Sequence, residues 1–491
     1  MTVDDPLARA MGLTTQENYL ERSLVGLRRA APDMSAHTVL SVRQRVGLVA
    51  AVAAVVCALL GNLLLTAQVL VALITVFYGL ALGYRLLLVR RGMRDENTVH
   101  VTDEEALAVA DDDLPVYTVL VPAYREPEVI GDVIAAIGAL DYPADRLDVR
   151  LVLEADDEVT IAAARATIAG QPVSIVLVPS AEPRTKPKAC NFGLQGAPGE
   201  FVTVFDAEDR PEPLQLRRAV VALRRLGDGY ACVQARLGYF NSRQNLITRW
   251  FSIEYANWFG LLLPGLVSVG APVPLGGTSN HFHAALLRDL GAWDAFNVTE
   301  DADLGIRLAR LGYAVGVLDS LTEEEANSDF VNWVKQRSRW YKGYFQTWLV
   351  HMRQPRKTKQ QIGWRGLIGL NLFVGGTPAL AALNPWFWGM TLIWFVAKPH
   401  WILALFPAPL YFPAMACWIF GNLAVIYMGI YSIRVARRED LVASAITVPA
   451  YWVMMSVAAI KAFVQLFQAP AFWEKTMHGL ERAGHRNGAG R

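Results

Sequence analysis

Apolar positions along this chain fall into two regimes, long uninterrupted stretches and short runs bounded by polar residues. No charged residue occurs between Arg45 and Arg85. Those 39 residues, at ~1.5 Å each as helix, reach about 58 Å, close to two hydrocarbon layers of ~30 Å. Gly61-Asn62 supplies a turn midway, so the pattern predicts a transmembrane hairpin over 43–92. Gly366 to Ala397 and Trp401 to Ile433 are also uncharged. They predict transmembrane helices within 366–434, one kinked crossing out through Asn384-Pro385 and one crossing back. Leu441 to Gln468 carries Pro449 and Lys461, and 435–468 reads as an interfacial or re-entrant element.

The second regime fills 93–330. Tyr117 to Pro122, Val149 to Leu153, Val173 to Val178 and Phe201 to Phe205 are short apolar runs ending in turn residues and alternating with helical patterns. This is the rhythm of a mostly parallel α/β sheet, whose ligands bind at the carboxyl ends of the strands. The remaining units are an N-terminal segment over 1–42, amphipathic interfacial helices over 331–365 and a tail over 469–491. Arg28, Arg29, Arg43 and Arg45 precede the hairpin, Arg90, Arg91 and Arg94 follow it, and Arg434, Arg437 and Arg438 follow the later crossings. The positive-inside rule therefore puts the α/β domain and the tail in the cytosol.

Composition agrees with a membrane protein: 53% hydrophobic and 19% charged residues, against roughly 25% charged in soluble domains. A formal charge of +1 gives no electrostatic case for a nucleic-acid partner. The four Cys are scattered, with no metal-ligand or disulfide spacing.

Candidate chemistry stands at predicted strand ends and helix starts. Tyr124-Arg125-Glu126 follows the first strand and Glu154-Ala155-Asp156-Asp157 the second. Carboxylates there can bind the ribose and base of a nucleotide, although Asp also forms turns and caps. Phe205-Asp206-Ala207-Glu208-Asp209 leaves a strand with carboxylates at i and i+2, a pattern suited to Mg²⁺ or Mn²⁺ on a diphosphate. No GxxxxGK[ST] loop is present to cradle phosphates. Thr299-Glu300-Asp301 opens a helix, with Thr299 expected as its N-cap. Gln336-Arg337-Ser338-Arg339-Trp340 lies in an aromatic and basic stretch from Trp333 to His351.

In order, Asp156 or Asp157, Asp206, Asp301 in TED, and Gln336, Arg339 and Trp340 resemble the D,D,D,QxxRW pattern of family 2 glycosyltransferases, in the membrane-embedded cellulose synthase-like group. Lys186-Pro187-Lys188-Ala189-Cys190-Asn191 resembles that family's KAxN segment, and Gly276-Gly277-Thr278-Ser279-Asn280 its glycine-rich acceptor-side loop. Glu208 departs from the usual second Asp of DxD. The resemblance implies a GT-A-like, Rossmann-like cytosolic glycosyltransferase domain inserted between transmembrane helices at the plasma membrane.

By the same resemblance Asp301 is the general base, with Glu300 beside it, and Asp206 and Glu208 hold Mg²⁺ or Mn²⁺. Donor contacts come from Tyr124, Glu126, Asp156, Asp157, Lys188, Asp206, Arg337 and Arg339. Acceptor contacts come from Gln336, Trp340, Gly277, Thr278 and Asn280. The tail loosely resembles the gating loop of cellulose synthases, with Phe472 and Trp473 as a lid and Lys475, Thr476 and His478 reaching the diphosphate. The implied reaction extends a β-linked polysaccharide from a UDP-glucose- or GDP-mannose-type donor onto a growing glycan and passes it through the membrane. The alternatives are transfer of one sugar to a membrane lipid, and an inactive channel or scaffold.

Overall fold

Nine strands make one mixed sheet: β1 (Thr98–Val99), β2 (Tyr117–Ala123), β3 (Leu147–Glu154), β4 (Val173–Val178), β5 (Phe201–Val204), β6 (Arg210–Pro211), β7 (Tyr230–Tyr239), β8 (Asn280–His283) and β9 (Ala314–Glu324). They come from a computed structural model that describes residues 15–168 and 171–475. The order is β1-β9-β7-β8-β5-β2-β3-β4, with β6 paired to β9. The four predicted runs are β2, β3, β4 and β5, all mutually parallel. β2 is buried along nearly its whole length, which accounts for its unbroken apolar run. The sheet is less parallel in its second half, where β8 runs antiparallel to both β5 and β7.

Among the described residues, five helices are long and apolar enough to cross a membrane: Val42–Gly61, Leu63–Gly92, Pro355–Ala397, Ala408–Val435 and Val448–Gln468. The hairpin breaks at Asn62, where the backbone is extended and the Asn62 side chain accepts from Leu65 N. The expected kink at Asn384-Pro385 is not where helical geometry fails. The helix Gly376–Ala397 runs on through Pro385. The departure comes at Gly363, with φ 66° and ψ −175°, and is followed by a π-helical segment, Leu370–Gly375. Glycine tolerates that positive φ at no steric cost.

The terminal helix Val448–Gln468 packs along the helix Phe330–His351, with Trp333 against Tyr451 and Phe345 against Phe463. Both its ends touch the sheet-bearing domain or the helix beneath it. Near its start, Trp250 Nε1 donates to Thr447 Oγ1 at 2.9 Å and Arg243 pairs with Asp440 at 2.8 Å. Just past its end, Gln346 Nε2 donates to Pro470 O at 2.7 Å. Val453, Val457, Ile460, Val464 and Phe467 form an exposed apolar stripe along it.

The second hairpin helix meets the domain through two glycines. A Cβ on Gly92 would stand 2.0 Å from Leu261 O, and one on Gly265 would stand 2.2 Å from Leu88 O. Only hydrogen fits on either side of this seam. At the N-terminus the helix Thr15–Ala30 lies on the domain, with Asn191 Nδ2 donating to Ser23 O at 3.1 Å.

Candidate functional site

The carboxyl ends of β2, β3, β5 and β9, with the start of antiparallel β8, share one edge of the sheet, and most of the polar features gather there. Asp206 follows β5. Lys186, the first residue of the helix Lys186–Leu194, donates to Asp206 Oδ1 and to Gly277 O, the latter at 2.8 Å. Burial disfavours the Lys186 ammonium, but Asp206 and Glu300 more than offset it, and its pKa is raised. Asp209 accepts from Asp206 N at 2.7 Å and from Thr278 Oγ1, while its Oδ1 is buried without a partner. Burial, then the charges of Asp206 and Glu208, push the Asp209 carboxyl well above the usual range. Glu324, at the end of β9, is pushed up by burial and then by Asp209, Asp206 and Glu208.

This crowd of acids around an orphaned carboxylate oxygen suits a divalent cation, which would neutralise the charge that the protein leaves uncompensated. Among the described residues no three His, Cys, Asp or Glu side chains converge to hold an ion by themselves. Asp206 and Glu208 therefore fit a cation whose remaining ligands come from phosphate oxygens and water.

Asp301 is the second residue of the helix Glu300–Arg310. Its Oδ1 accepts from Ala302 N at 2.7 Å, and its Oδ2 lies 3.4 Å from where a Cβ on Gly277 would stand. The Gly276-Gly277 loop thus passes against the carboxylate. Burial raises the Asp301 pKa, against the opposing pull of Lys186 and Arg339. Burial and the Asp301 charge push Glu300 up to about 8. Thr299 precedes the helix but makes no side-chain cap. A Cβ on Gly343 would meet its hydroxyl at 2.2 Å, so Thr299 is packed under the Phe330–His351 helix instead. The loop before TED is gripped from outside by the N-terminal segment: Ala36 N and Ser35 Oγ both donate to Asp294.

The two arginines of QxxRW part company. Arg339 is half-buried and faces Glu300, Asp301 and Asp206, with its guanidinium 4.4 Å from the Trp473 ring centroid. Arg337 was expected at the diphosphate and points elsewhere. It forms two bonds to Glu254 (2.7 and 2.5 Å), donates to Tyr451 Oη at 3.1 Å and lies over the Trp340 ring. Two residues along a helix rotate a side chain by roughly 200°, so both cannot face one site. Gln336 accepts from Asn327 Nδ2 at 3.2 Å, and Trp340 is half-buried beside Phe251 and Tyr255.

Lys188 corrects a second expectation. Its ammonium is fully buried, held by Glu154 at 2.7 Å and by Ala181 O at 3.1 Å, and it faces no ligand space. Lys186 is the lysine at the acid cluster. Pro187, marking the helix start, was the available signal, because it places Lys186 at the first helical position. Asp157 is spent on structure, accepting from Arg125 N and Thr160 N. Asp156 pairs with Arg184 at 2.8 Å, and Arg184 donates to Tyr124 Oη at 2.9 Å. Thr278 donates to Val204 O and Asn280 to Gly276 O, so both shape the glycine loop.

The tail lies across this edge. Lys342 Nζ donates to Phe472 O at 2.7 Å. Lys475 Nζ donates to the carbonyls of Tyr124 and Arg125 and lies 3.5 Å from Glu126. Thr476 and His478 fall outside the described residues.

Comparison with known proteins agrees with this construction. A profile described as "Glycosyl transferase family group 2" matches residues 201–431, and one described as "Glycosyl transferase family 2" matches 118–270. The "Probable glycosyltransferase YdaM" of Bacillus subtilis is 26% identical over 51% of this chain and 60% of its own. The "Probable glucomannan 4-beta-mannosyltransferase 1" of Arabidopsis thaliana is 28% identical, over 55% and 50% respectively. The "Beta-monoglucosyldiacylglycerol synthase" of Synechocystis is 28% identical, over 53% and 54%. The chain thus spans half to three-fifths of the length of these relatives. In fold, it is similar to the solved "Mannosyltransferase PcManGT from Pyrobaculum calidifontis in complex with GDP-Man and Mn2+" (TM-score 0.50, 20% identity), over 81% of this chain and 99% of that one. Together the two profiles cover residues 118–431, which hold Asp206, TED and QxxRW, and with the GT-A-like sheet and the apolar helices around it they make the chain similar to the family 2 glycosyltransferases.

Proposed function

We propose that the protein is an integral membrane enzyme that transfers a hexosyl group, with inversion, from a nucleotide-diphosphate sugar to an acceptor hydroxyl. The observation that carries this reading is the meeting of Asp206, Lys186, Asp301 and Arg339 at one sheet edge, beneath Trp473. Asp301 takes the proton of the acceptor hydroxyl; its raised pKa makes it a stronger base than an ordinary carboxylate. Lys186 and Arg339 stabilise the charge that grows on the departing diphosphate. Asp206 and Glu208 hold Mg²⁺ or Mn²⁺, which when bound adds to that neutralisation. Tyr124 presents a ring bordered by Arg184, Arg125 and Lys475 to a UDP- or GDP-type nucleotide. Phe472 and Trp473 close over the site and exclude water.

Arginines at the helix ends put the domain in the cytosol, with the plasma membrane as its location. Four helices cross, and Val448–Gln468 lies in the membrane surface, as its two anchored ends and exposed apolar stripe support. The acceptor is a growing β-linked glycan, with translocation following extension. Transfer of one sugar to a lipid is the second reading, supported by an arginine, Arg85, placed among the apolar helices. The test is product size from the purified full chain supplied with UDP-glucose or GDP-mannose, with and without EDTA. Polymer or glycolipid formed only with Mg²⁺ or Mn²⁺ is expected; full activity in chelator removes the cation from the scheme, and no product from any nucleotide sugar overturns the reading.

A further inference from the structure

We propose that Arg85 binds the phosphate of an anionic membrane lipid at the acceptor side of the site, an inference that rests on the transferase reading and names a ligand class for it. Arg85 ends an otherwise uncharged stretch of the helix Leu63–Gly92. It lies five residues before Arg90, roughly 7.5 Å deeper than the basic end of the helix. Nη2 donates to Thr377 Oγ1 at 2.9 Å, and the guanidinium lies 5.7 Å from the Phe373 ring centroid. No carboxylate of a described residue comes within 4 Å of it. The nearest candidate, Glu254, has both oxygens committed to Arg337 and Tyr451. A guanidinium at this depth without an acidic partner is costly, and intramembrane charges of this kind mark ligand sites. Its planar donor fork matches a phosphate.

The surroundings point the same way. Phe373 belongs to the π-helical segment Leu370–Gly375 and stacks on Trp258, the first residue of a second π-helical segment, Trp258–Leu262. π-Helical turns are rare and concentrate at functional sites, and here two of them meet beside one arginine. Tyr344 packs against Leu370 and Val374 of the π-helical segment Leu370–Gly375 and against Ile306 of the Glu300–Arg310 helix, which joins this position to the helix that carries the proposed base. A lipid phosphate seated on Arg85 would therefore hold its attached group at the acceptor end of the site.

The experiment uses the purified full chain in phosphatidylcholine nanodiscs doped with phosphatidylglycerol, undecaprenyl phosphate or neutral diacylglycerol, with lipid retention read by native mass spectrometry. Nucleotide-sugar binding is measured on the same samples. Wild type is expected to retain either phosphate-bearing lipid at least tenfold over diacylglycerol, Arg85→Lys to fall to about threefold because it keeps the charge but loses the fork, and Arg85→Gln to lose the preference with donor binding intact. Equal retention of diacylglycerol, or an Arg85→Gln variant that selects like wild type, overturns the site. Displacement of the lipid by low-millimolar inorganic phosphate also overturns it, since the ligand is then a soluble anion. A wild type that selects phosphate lipids but binds no nucleotide sugar refutes the transferase reading and leaves this site standing. The Lys variant keeps the test decisive if Gln prevents folding.

Discussion

Asp301 is the base in the proposed reaction, and its environment fixes what its loss should do. It is held by Ala302 N, pressed by the Gly276-Gly277 loop, and faced by Lys186 and Arg339. Asp301→Asn keeps shape and polarity but removes the base, which acts chiefly in the transition state. Transfer is expected to fall about 10³-fold with donor affinity nearly unchanged, as measured by initial rates alongside calorimetric titration with the nucleotide sugar. Asp206, Asp301 and Arg339 were legible in the sequence because each sits inside a short pattern tied to a strand end or helix start. The pairs Lys186/Lys188 and Arg337/Arg339 were not resolved by pattern. In each pair two like residues stand two apart on a helix, and only rotation about that helix decides which one meets the acids.

At the scale of elements, β2 and β5 were readable because burial on both faces leaves continuous apolar runs, and β3 and β4 because their shorter apolar runs end in turn residues. β7 and β9 escaped because they carry polar residues whose partners are remote in sequence. Gln215 Nε2 donates to Ser320 Oγ and Thr322 Oγ1, while Gln234 Nε2 donates to Thr278 O and its Oε1 accepts from Gly276 N. The N-terminal segment is the other element that sequence left silent. Arg353 donates to the carbonyls of Pro32, Ser35 and Thr38, and Asp294 accepts from Ala36 N, Ser35 Oγ and Phe296 N. Burial, with Asp303 nearby, pushes the Asp294 pKa from 3.8 to about 6, against those bonds. A carboxyl with a raised folded pKa stabilises fully below its unfolded pKa and loses that contribution as pH rises through the folded one. Between pH 4 and pH 7 wild type should lose about 2 kcal/mol relative to Asp294→Asn. Thermal unfolding of both proteins across that range checks this, and parallel curves would show that Asp294 does not titrate there.

For the whole molecule the decisive question is which side each helix end occupies. In the proposed topology the contacts of Asp440, Thr447 and Pro470 at the two ends of Val448–Gln468 bring residues 436 and 468 to the side of the sheet. In a cysteine-free background, single cysteines at Ala436 and Gln468 should both resist an impermeant maleimide in intact cells and both react in inverted vesicles. Labelling of only one of them from outside would make the terminal helix a fifth crossing and move the tail away from Asp301. Hydropathy could not decide this, because a 21-residue apolar helix satisfies both arrangements.

The seam of Gly92 and Gly265 adds a mechanical consequence. With backbone resting on backbone at Leu261 and Leu88, the joint has no layer of side chains in which to slip, and a membrane span and a catalytic sheet so joined turn as one rigid lever. A tilt that a thicker or thinner bilayer imposed on the Leu63–Gly92 helix would then reach the sheet-bearing domain through backbone contact, a coupling that rests on two missing methyl groups.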